Sequence, residues 1–428
     1  MSPPGTSAFS ANGRNYRPPN CPVVVICLDG SADEYLDAAL ARGCMEHLQQ
    51  MSVRGFRGLA RGAMPSYTNV NNSSIVTGAP PSVHGISGNF FYDAARDQEV
   101  MMNSSQYLRA ETILAAAARA GRKVAVVTAK EKLRDIFAAG LVGPGGSKGI
   151  AFSSEKANQA ALETHGIAAV EEMVGQPTPA IYSAEASLYV LRAGVALLEE
   201  GRADFLYLST TDFIQHKFGP DTREALDFYA GIDRELGRLM QLGAVIGITA
   251  DHGMNAKQKA DGSPNVIYLE SELERQFGPG FRVILPITDP YVVHHGALGS
   301  YAVVHLPNSR PASAQAELTE AVAEWLNALD GVTEVHDRAT AARKLELPAD
   351  RIGELVVLSG RDVVLGRRPE WHNLKVIEGG LRSHGGRYEE MVPFIVSAPL
   401  RSEYAARAAA DLRNFDIFDF TINGTEGR

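Results

Sequence analysis

Residues Ala244-Val245-Ile246-Gly247-Ile248-Thr249-Ala250-Asp251-His252-Gly253 read as a buried strand that stops at a carboxylate beside an imidazole. A short apolar run rich in branched side chains suits a strand covered on both faces, as in parallel α/β sheets. In such sheets ligands bind in the crevice beyond the carboxyl ends of the strands. Asp251 and His252 would there share one transition metal, or they would simply form the turn that ends the strand. The pair alone leaves both readings open.

Other segments repeat the pattern. Val23-Val24-Val25-Ile26-Cys27-Leu28 is a second buried strand and runs into Asp29-Gly30, where the Asp is a ligand or a turn residue. Lys123–Thr128 reads as a strand leading into Ala129-Lys130-Glu131-Lys132; in an extended loop Lys130 and Lys132 would point the same way, and otherwise they are solvated surface charge. A strand over Ala203–Leu208 precedes Asp212 and His216, which lie four apart and reach one metal if a helical turn starts there. Helices are expected over 111–120, 154–174, 184–200 and 222–241. The last shows apolar residues at the 3.6 period and an Asp221/Glu224 capping box.

Met64-Pro65-Ser66-Tyr67-Thr68 opens a short helix that Gly78 stops, so Thr68 is either a helix cap or a nucleophile. As a nucleophile it would draw on the free N–H groups and partial positive charge of the helix start, which favour an alkoxide or phosphoryl oxygen. His84, between a Pro pair and Gly85, reads as a turn-stabilising hydrogen bonder. His384 sits in Ser383-His384-Gly385-Gly386, where glycines allow a close approach to a ligand.

The chain of 428 residues is 45% hydrophobic and 21% charged, which suits a soluble globular protein with a large core. A net charge of −9 argues against general affinity for nucleic acid or anionic membranes. Cys21, Cys27 and Cys44 form no CxxC pair and fit a reducing, cytoplasmic compartment. No apolar run approaches a membrane span, and the first twenty residues read as a loose arm without a signal-peptide core. From 257 to 375 the βα alternation breaks into short strands and one clear helix, Ala312–Ala328, which suggests an inserted α+β cap; His294 and His295 read as loop histidines within it. The core then comprises residues 21–256 and 376–428.

Strand ends and glycine-rich loops thus present Asp29, Thr68, Asp212, His216, Asp251, His252 and His384. These divide into two sites of about three ligands each, leaving an open position as catalytic zinc requires. The strand ending in Asp29-Gly30, Met64-Pro65-x-x-Thr68, Thr77-Gly78-x-x-Pro81-x-x-His84-Gly85-Ile86 with Asn89, Asp212-x-x-x-His216, Asp251-His252-Gly253 and Ser383-His384-Gly385 resemble the alkaline phosphatase superfamily. The nearer match is its nucleotide pyrophosphatase/phosphodiesterase branch. The resemblance implies an α/β core with a central, mostly parallel sheet flanked by helices. It implies two Zn²⁺ (with Mn²⁺, Fe²⁺ or Co²⁺ as substitutes), one held by Asp212, His216 and His384, the other by Asp29, Asp251 and His252. Thr68 would be the nucleophile at the second, and Asn89 would donate to a phosphoryl oxygen.

Within the branch, Cys27-Leu28-Asp29-Gly30 and Thr128-Ala129-Lys130-Glu131-Lys132 resemble the phosphonoacetate hydrolase family. That implies cleavage of a carbon–phosphorus bond through a threonyl-phosphate, with Lys130 and Lys132 meeting the carboxylate of a small anionic substrate, phosphonoacetate. The alternatives are a nucleotide phosphodiesterase or phosphomonoesterase of the same superfamily, and a non-catalytic phosphonate-binding protein. A homodimer is compatible with the sequence.

Overall fold

The computed structural model describes residues 7–142, 148–289, 296–307, 311–377 and 380–426. His294 and His295 lie outside the described residues. At its centre is a seven-stranded sheet in the order Phe56–Arg61, Met391–Val396, Val245–Thr249, Val23–Cys27, Phe205–Ser209, Val124–Thr128, Ile150–Ser153. The last five are parallel; Met391–Val396 runs antiparallel to both its neighbours.

The alternation of side chains along a strand splits the core into two layers. Val24, Ile26 and Leu28 pack with Leu206, Leu208, Ile246 and Ile248 under the helices Asp33–Ala41, Ala184–Glu199 and Arg223–Gln241. Val23, Val25 and Cys27 face the other way, onto Ile113–Arg119, Glu131–Phe137 and Ile417–Ile422. Both faces of these strands are therefore dry, which is why their sequences read as unbroken apolar runs.

A second sheet of four antiparallel strands, ordered Arg282–Ile284, Tyr301–His305, Leu355–Ser359, Val332–Asp337, lies within the segment expected to form a cap. Its core is continuous with Ala63, Met64, Tyr67 and Val70, so the small sheet is seated on the start of the Thr68 helix.

Three local expectations are corrected. From Phe9 onward the N-terminal arm is a hairpin, Phe9–Ala11 with Arg14–Tyr16, whose Phe9 and Tyr16 rings stack 5.0 Å apart on the core. The helical stretch 154–174 breaks into two short helices, Leu162–His165 and Val170–Val174. Gly166 and Ala169 between them take left-handed backbone, at φ +70° and +56°, which interrupts a helix. The long helix Arg223–Gln241 is capped by Thr222, whose hydroxyl accepts from the Ala225 amide, and not through Asp221. No helix among the described residues is long and apolar enough to cross a membrane, and the three cysteines form no disulfide.

Candidate active site

Four neighbouring parallel strands end in register: Thr249 lies beside Cys27, Cys27 beside Ser209, and Ser209 beside Thr128. Two residues further on come Asp251, Asp29 and Lys130, and three further on comes Asp212. Strands sit about 4.8 Å apart, so this register alone delivers three carboxylates and an ammonium to one small volume. Gly30 makes the close approach possible. It takes φ +71°, and a Cβ there would lie 2.7 Å from the Asp212 Cβ.

His216 and His252 follow Asp212 and Asp251, while His384 arrives from the loop before Met391–Val396. Each imidazole is fixed by a main-chain carbonyl at Nδ1: His216 by Arg382 at 2.8 Å, His252 by Gly253 at 2.9 Å, His384 by Ser66 at 2.8 Å. In a neutral ring, an Nδ1–H that donates to a carbonyl leaves Nε2 as the lone pair that a cation would take, and all three Nε2 atoms face the carboxylates. His216 Nε2 is 3.0 Å from Asp212 Oδ2, His384 Nε2 is 3.8 Å from the same oxygen, and His252 Nε2 is 3.3 Å from Asp29 Oδ1.

Among the described residues, two groups bring ligand atoms within 4.8 Å of one another: Asp212, His216 and His384, and Asp29, Asp212 and His252. The first is the triplet that the resemblance implies. The second holds Asp212 where the resemblance put Asp251. Asp251 is turned to accept from the amides of Gly30 (3.1 Å) and His252 (3.0 Å) and from Asn72 Nδ2 (3.0 Å). Its Oδ2 is 3.8 Å from His252 Nε2.

The donors fit divalent cations. Both Asp29 carboxylate oxygens are buried without a hydrogen bond, an arrangement that costs several kcal/mol unless an ion satisfies it. Carboxylate oxygen and imidazole nitrogen suit Zn²⁺ and its first-row neighbours.

Electrostatics reflect the crowding. Burial and the Asp29 charge push the Asp251 carboxyl well above the usual range. Burial opposes ionisation of Asp212 too, but Lys130 and His216 outweigh it and hold that carboxyl well below the range. Burial would lower His252, yet Asp251 and Asp29 push it up to about 9. Burial, with His252 and His216 alongside, drives His384 well down.

Thr68 is the first residue of a ten-residue helix, Thr68–Thr77, that is buried throughout. Tyr67, not Thr68, occupies the N-cap position, so the hydroxyl is not used as a cap. It lies 3.3 Å from His252 Nε2. The Asn89 carboxamide joins it there: its Oδ1 accepts from the Asn69 amide at 3.0 Å. His84 behaves as expected, with Nε2 2.8 Å from Ser74 Oγ and Nδ1 accepting from the Ile86 amide; burial lowers it to about 3 and keeps it neutral.

Both lysines reach the same volume. Lys130 Nζ is 3.0 Å from Asp212 Oδ1 and 3.8 Å from Asp29 Oδ2; burial works against the charge, but the two aspartates more than restore it. Lys132 pairs with Asp289 of the loop after Arg282–Ile284, while burial and Lys130 lower its pKa.

Sequence reasoning missed Asp289 and Asn72. Asn72 Nδ2 donates to Asp251 and to the Thr68 carbonyl, while its Oδ1 accepts from Tyr207 and Ser209. Asn72 was findable, since it lies one helical turn after Thr68. Asp289 carries no local signal.

The family model for type I phosphodiesterase / nucleotide pyrophosphatase matches residues 23–387. The phosphonoacetate hydrolase of Sinorhizobium meliloti 1021, crystallised with phosphonoformate, superposes with a TM-score of 0.90 at 47% identity, over 99% of this chain and 100% of that one. The same enzyme with phosphonoacetate gives 0.90 at 46% over the same shares. Murine ectonucleotide pyrophosphatase/phosphodiesterase 5 shares the fold, with a TM-score of 0.61 at 16% identity over 95% of this chain and 97% of that one.

Proposed function

This chain belongs to the type I phosphodiesterase / nucleotide pyrophosphatase family of the alkaline phosphatase superfamily and is a hydrolase, and on that premise we propose that it cleaves the carbon–phosphorus bond of phosphonoacetate to give acetate and phosphate. The observation that carries the reading is the Thr68 hydroxyl, seated at the start of a buried helix and 3.3 Å from His252 Nε2 beside the aspartates and histidines. The 46–47% identity to an enzyme crystallised with phosphonoformate and with phosphonoacetate supports the substrate.

Two Zn²⁺, one held by Asp212, His216 and His384 and one by Asp29, Asp251 and His252, would lower the pKa of the Thr68 hydroxyl and offset phosphonate charge. The Thr68 oxygen attacks phosphorus, the carbon–phosphorus bond breaks with its electrons going to carbon, and a threonyl-phosphate forms. The leaving acetate carbanion gains one proton, balancing the one the Thr68 hydroxyl gives up; water then attacks the phosphoryl group, releasing phosphate and returning a hydrogen to the Thr68 oxygen. Asn89, oriented through the Asn69 amide, donates to a phosphoryl oxygen. Lys130 and Lys132 meet the substrate carboxylate and stabilise the negative charge that spreads onto it as the bond breaks, a contribution that grows toward the transition state. The segment 257–375 acts as a cap over a core of 21–256 and 376–428, the Lys132–Asp289 pair linking core to cap. The three cysteines without a disulfide suit a cytoplasmic address.

The test is a panel assay of the zinc-loaded protein, measuring phosphate and acetate release from phosphonoacetate beside nucleotide diesters and aryl phosphates. Turnover of phosphonoacetate with equal release of both products supports the proposal. Turnover confined to nucleotide or aryl esters would replace it with the phosphodiesterase or phosphomonoesterase alternative.

A further inference from the structure

Lys257 and Glu389 form an ion pair with no solvent exposure on either residue, and the catalytic scheme does not use it. Lys257 Nζ donates to Glu389 Oε1 at 2.9 Å and to the carbonyl of Arg361, in the small-sheet segment, at 2.6 Å. Glu389 Oε1 also accepts from Asn255 Nδ2 at 2.6 Å, and its Oε2 accepts from the Gly386 amide at 3.0 Å. The Glu389 carbonyl accepts from the Gly253 amide at 2.8 Å.

These contacts converge on the supports of all three histidines. Gly386 closes the loop that carries His384, and the Gly253 carbonyl holds His252 Nδ1. The short ladder Asn255–Ala256 with Arg382–Ser383 ends where the Lys257 amide donates to Leu381, and the Arg382 carbonyl in that ladder holds His216 Nδ1. Gly385 leaves the His384 loop little freedom: it takes φ +119°, and a Cβ there would lie 2.4 Å from the Tyr67 ring.

A buried ion pair is a poor source of stability, because desolvating two charges cancels most of their attraction. Its geometry here has another use. We propose that Glu389, neutralised by Lys257, is a positioning residue that sets the three imidazoles for cation binding, by tethering the 384–386 loop to the Gly253 turn. The proposal rests on the two-cation reading of the site.

The test compares two neutral replacements of the pair. Lys257→Met with Glu389→Gln keeps a carbonyl oxygen that can accept from Gly386; Lys257→Met with Glu389→Leu does not. Zn²⁺ affinity is measured by competition with a chelating dye, and the visible spectrum of the Co²⁺-loaded protein reports ligand geometry. The Gln pair is expected to bind close to the parent. The Leu pair should bind about 10–100-fold more weakly, the range seen when groups supporting metal ligands are lost, with an altered Co²⁺ spectrum. Equal Zn²⁺ affinity and an unchanged spectrum in the Leu pair would overturn the proposal. Should the Leu pair not fold, Asn255→Ala, which removes one donor to Glu389 from a part-exposed position, is expected to weaken Zn²⁺ binding in the same direction, and unchanged binding would overturn the proposal. A parent protein that binds no Zn²⁺ would instead overturn the two-cation reading, and this inference with it.

Discussion

The imidazoles of His252 and His384 lie face to face, their centroids 3.5 Å apart and their planes within 4° of parallel. One ring belongs to the group around Asp29, the other to the group around His216, so the stack joins the two halves of the site. Two protonated rings would repel at that distance, which agrees with His384 being driven to the neutral state while the aspartates support charge on His252. His252 Nε2 lies beside the Thr68 hydroxyl, and His384 Nε2 faces Asp212.

Replacing Thr68 with Ala should lower kcat for phosphonoacetate by about 10⁴-fold or more, because the covalent route is lost. The cation content by atomic absorption should stay at the parent level. Turnover within a few-fold of the parent would exclude attack by Thr68.

Lys130→Ala and Lys132→Ala should damage phosphonoacetate hydrolysis selectively. Each charge-assisted contact to a carboxylate is worth about 1.5–3 kcal/mol, or roughly 10–100-fold in kcat/KM. An aryl phosphate, which has no carboxylate to meet, should lose far less with Lys132→Ala. Equal losses on both substrates would remove the carboxylate role.

The Lys132–Asp289 pair makes a pH prediction. Burial and the neighbouring Lys130 lower the Lys132 pKa, and Asp289 opposes them. A protonated Lys132 binds the carboxylate at low pH and loses that ability as pH rises through its pKa. Asp289→Asn removes the opposing charge, so the rise in KM for phosphonoacetate at alkaline pH should begin at a lower pH than in the parent. A profile that stays in place, or moves to higher pH, contradicts the pairing.

Stripping divalent cations with a chelator should lower the melting temperature, and Zn²⁺ should restore it. Binding at about 100 times Kd stabilises the fold by about 2.7 kcal/mol. The physical source is the cluster of Asp29, Asp212 and Asp251, of which Asp29 has no hydrogen bond to its carboxylate. A melting temperature indifferent to chelator and Zn²⁺ would show that the cluster does not hold cations.

Much of this site was legible because apolar strands and the residues after them are contiguous in sequence. Val23–Cys27 and Val245–Thr249 declare their burial, and Asp29, Asp251 and His252 follow at once. His384 was legible only through its flanking glycines. Asp289 and Glu389 were not, because their roles depend on segments brought together in space: Asp289 meets Lys132 from 157 residues away, and Glu389 meets Lys257 from 132. The hydrogen-bond partners of Asp251 were hidden for a similar reason. Adjacent Asp and His suggest a shared ion, whereas the turn also directs the Asp251 carboxylate at Gly30 and Asn72. The edge strand Phe56–Arg61 was not legible because Arg57, Gly58 and Arg61 break the apolar run.

Anomalous scattering from a crystal of the zinc-loaded protein at the zinc edge addresses the central claim most directly. Two peaks are expected, one among Asp212, His216 and His384 and one among Asp29, Asp251 and His252, with the Thr68 Oγ within coordination distance of the second. A single peak, or a Thr68 hydroxyl remote from both, would contradict the account.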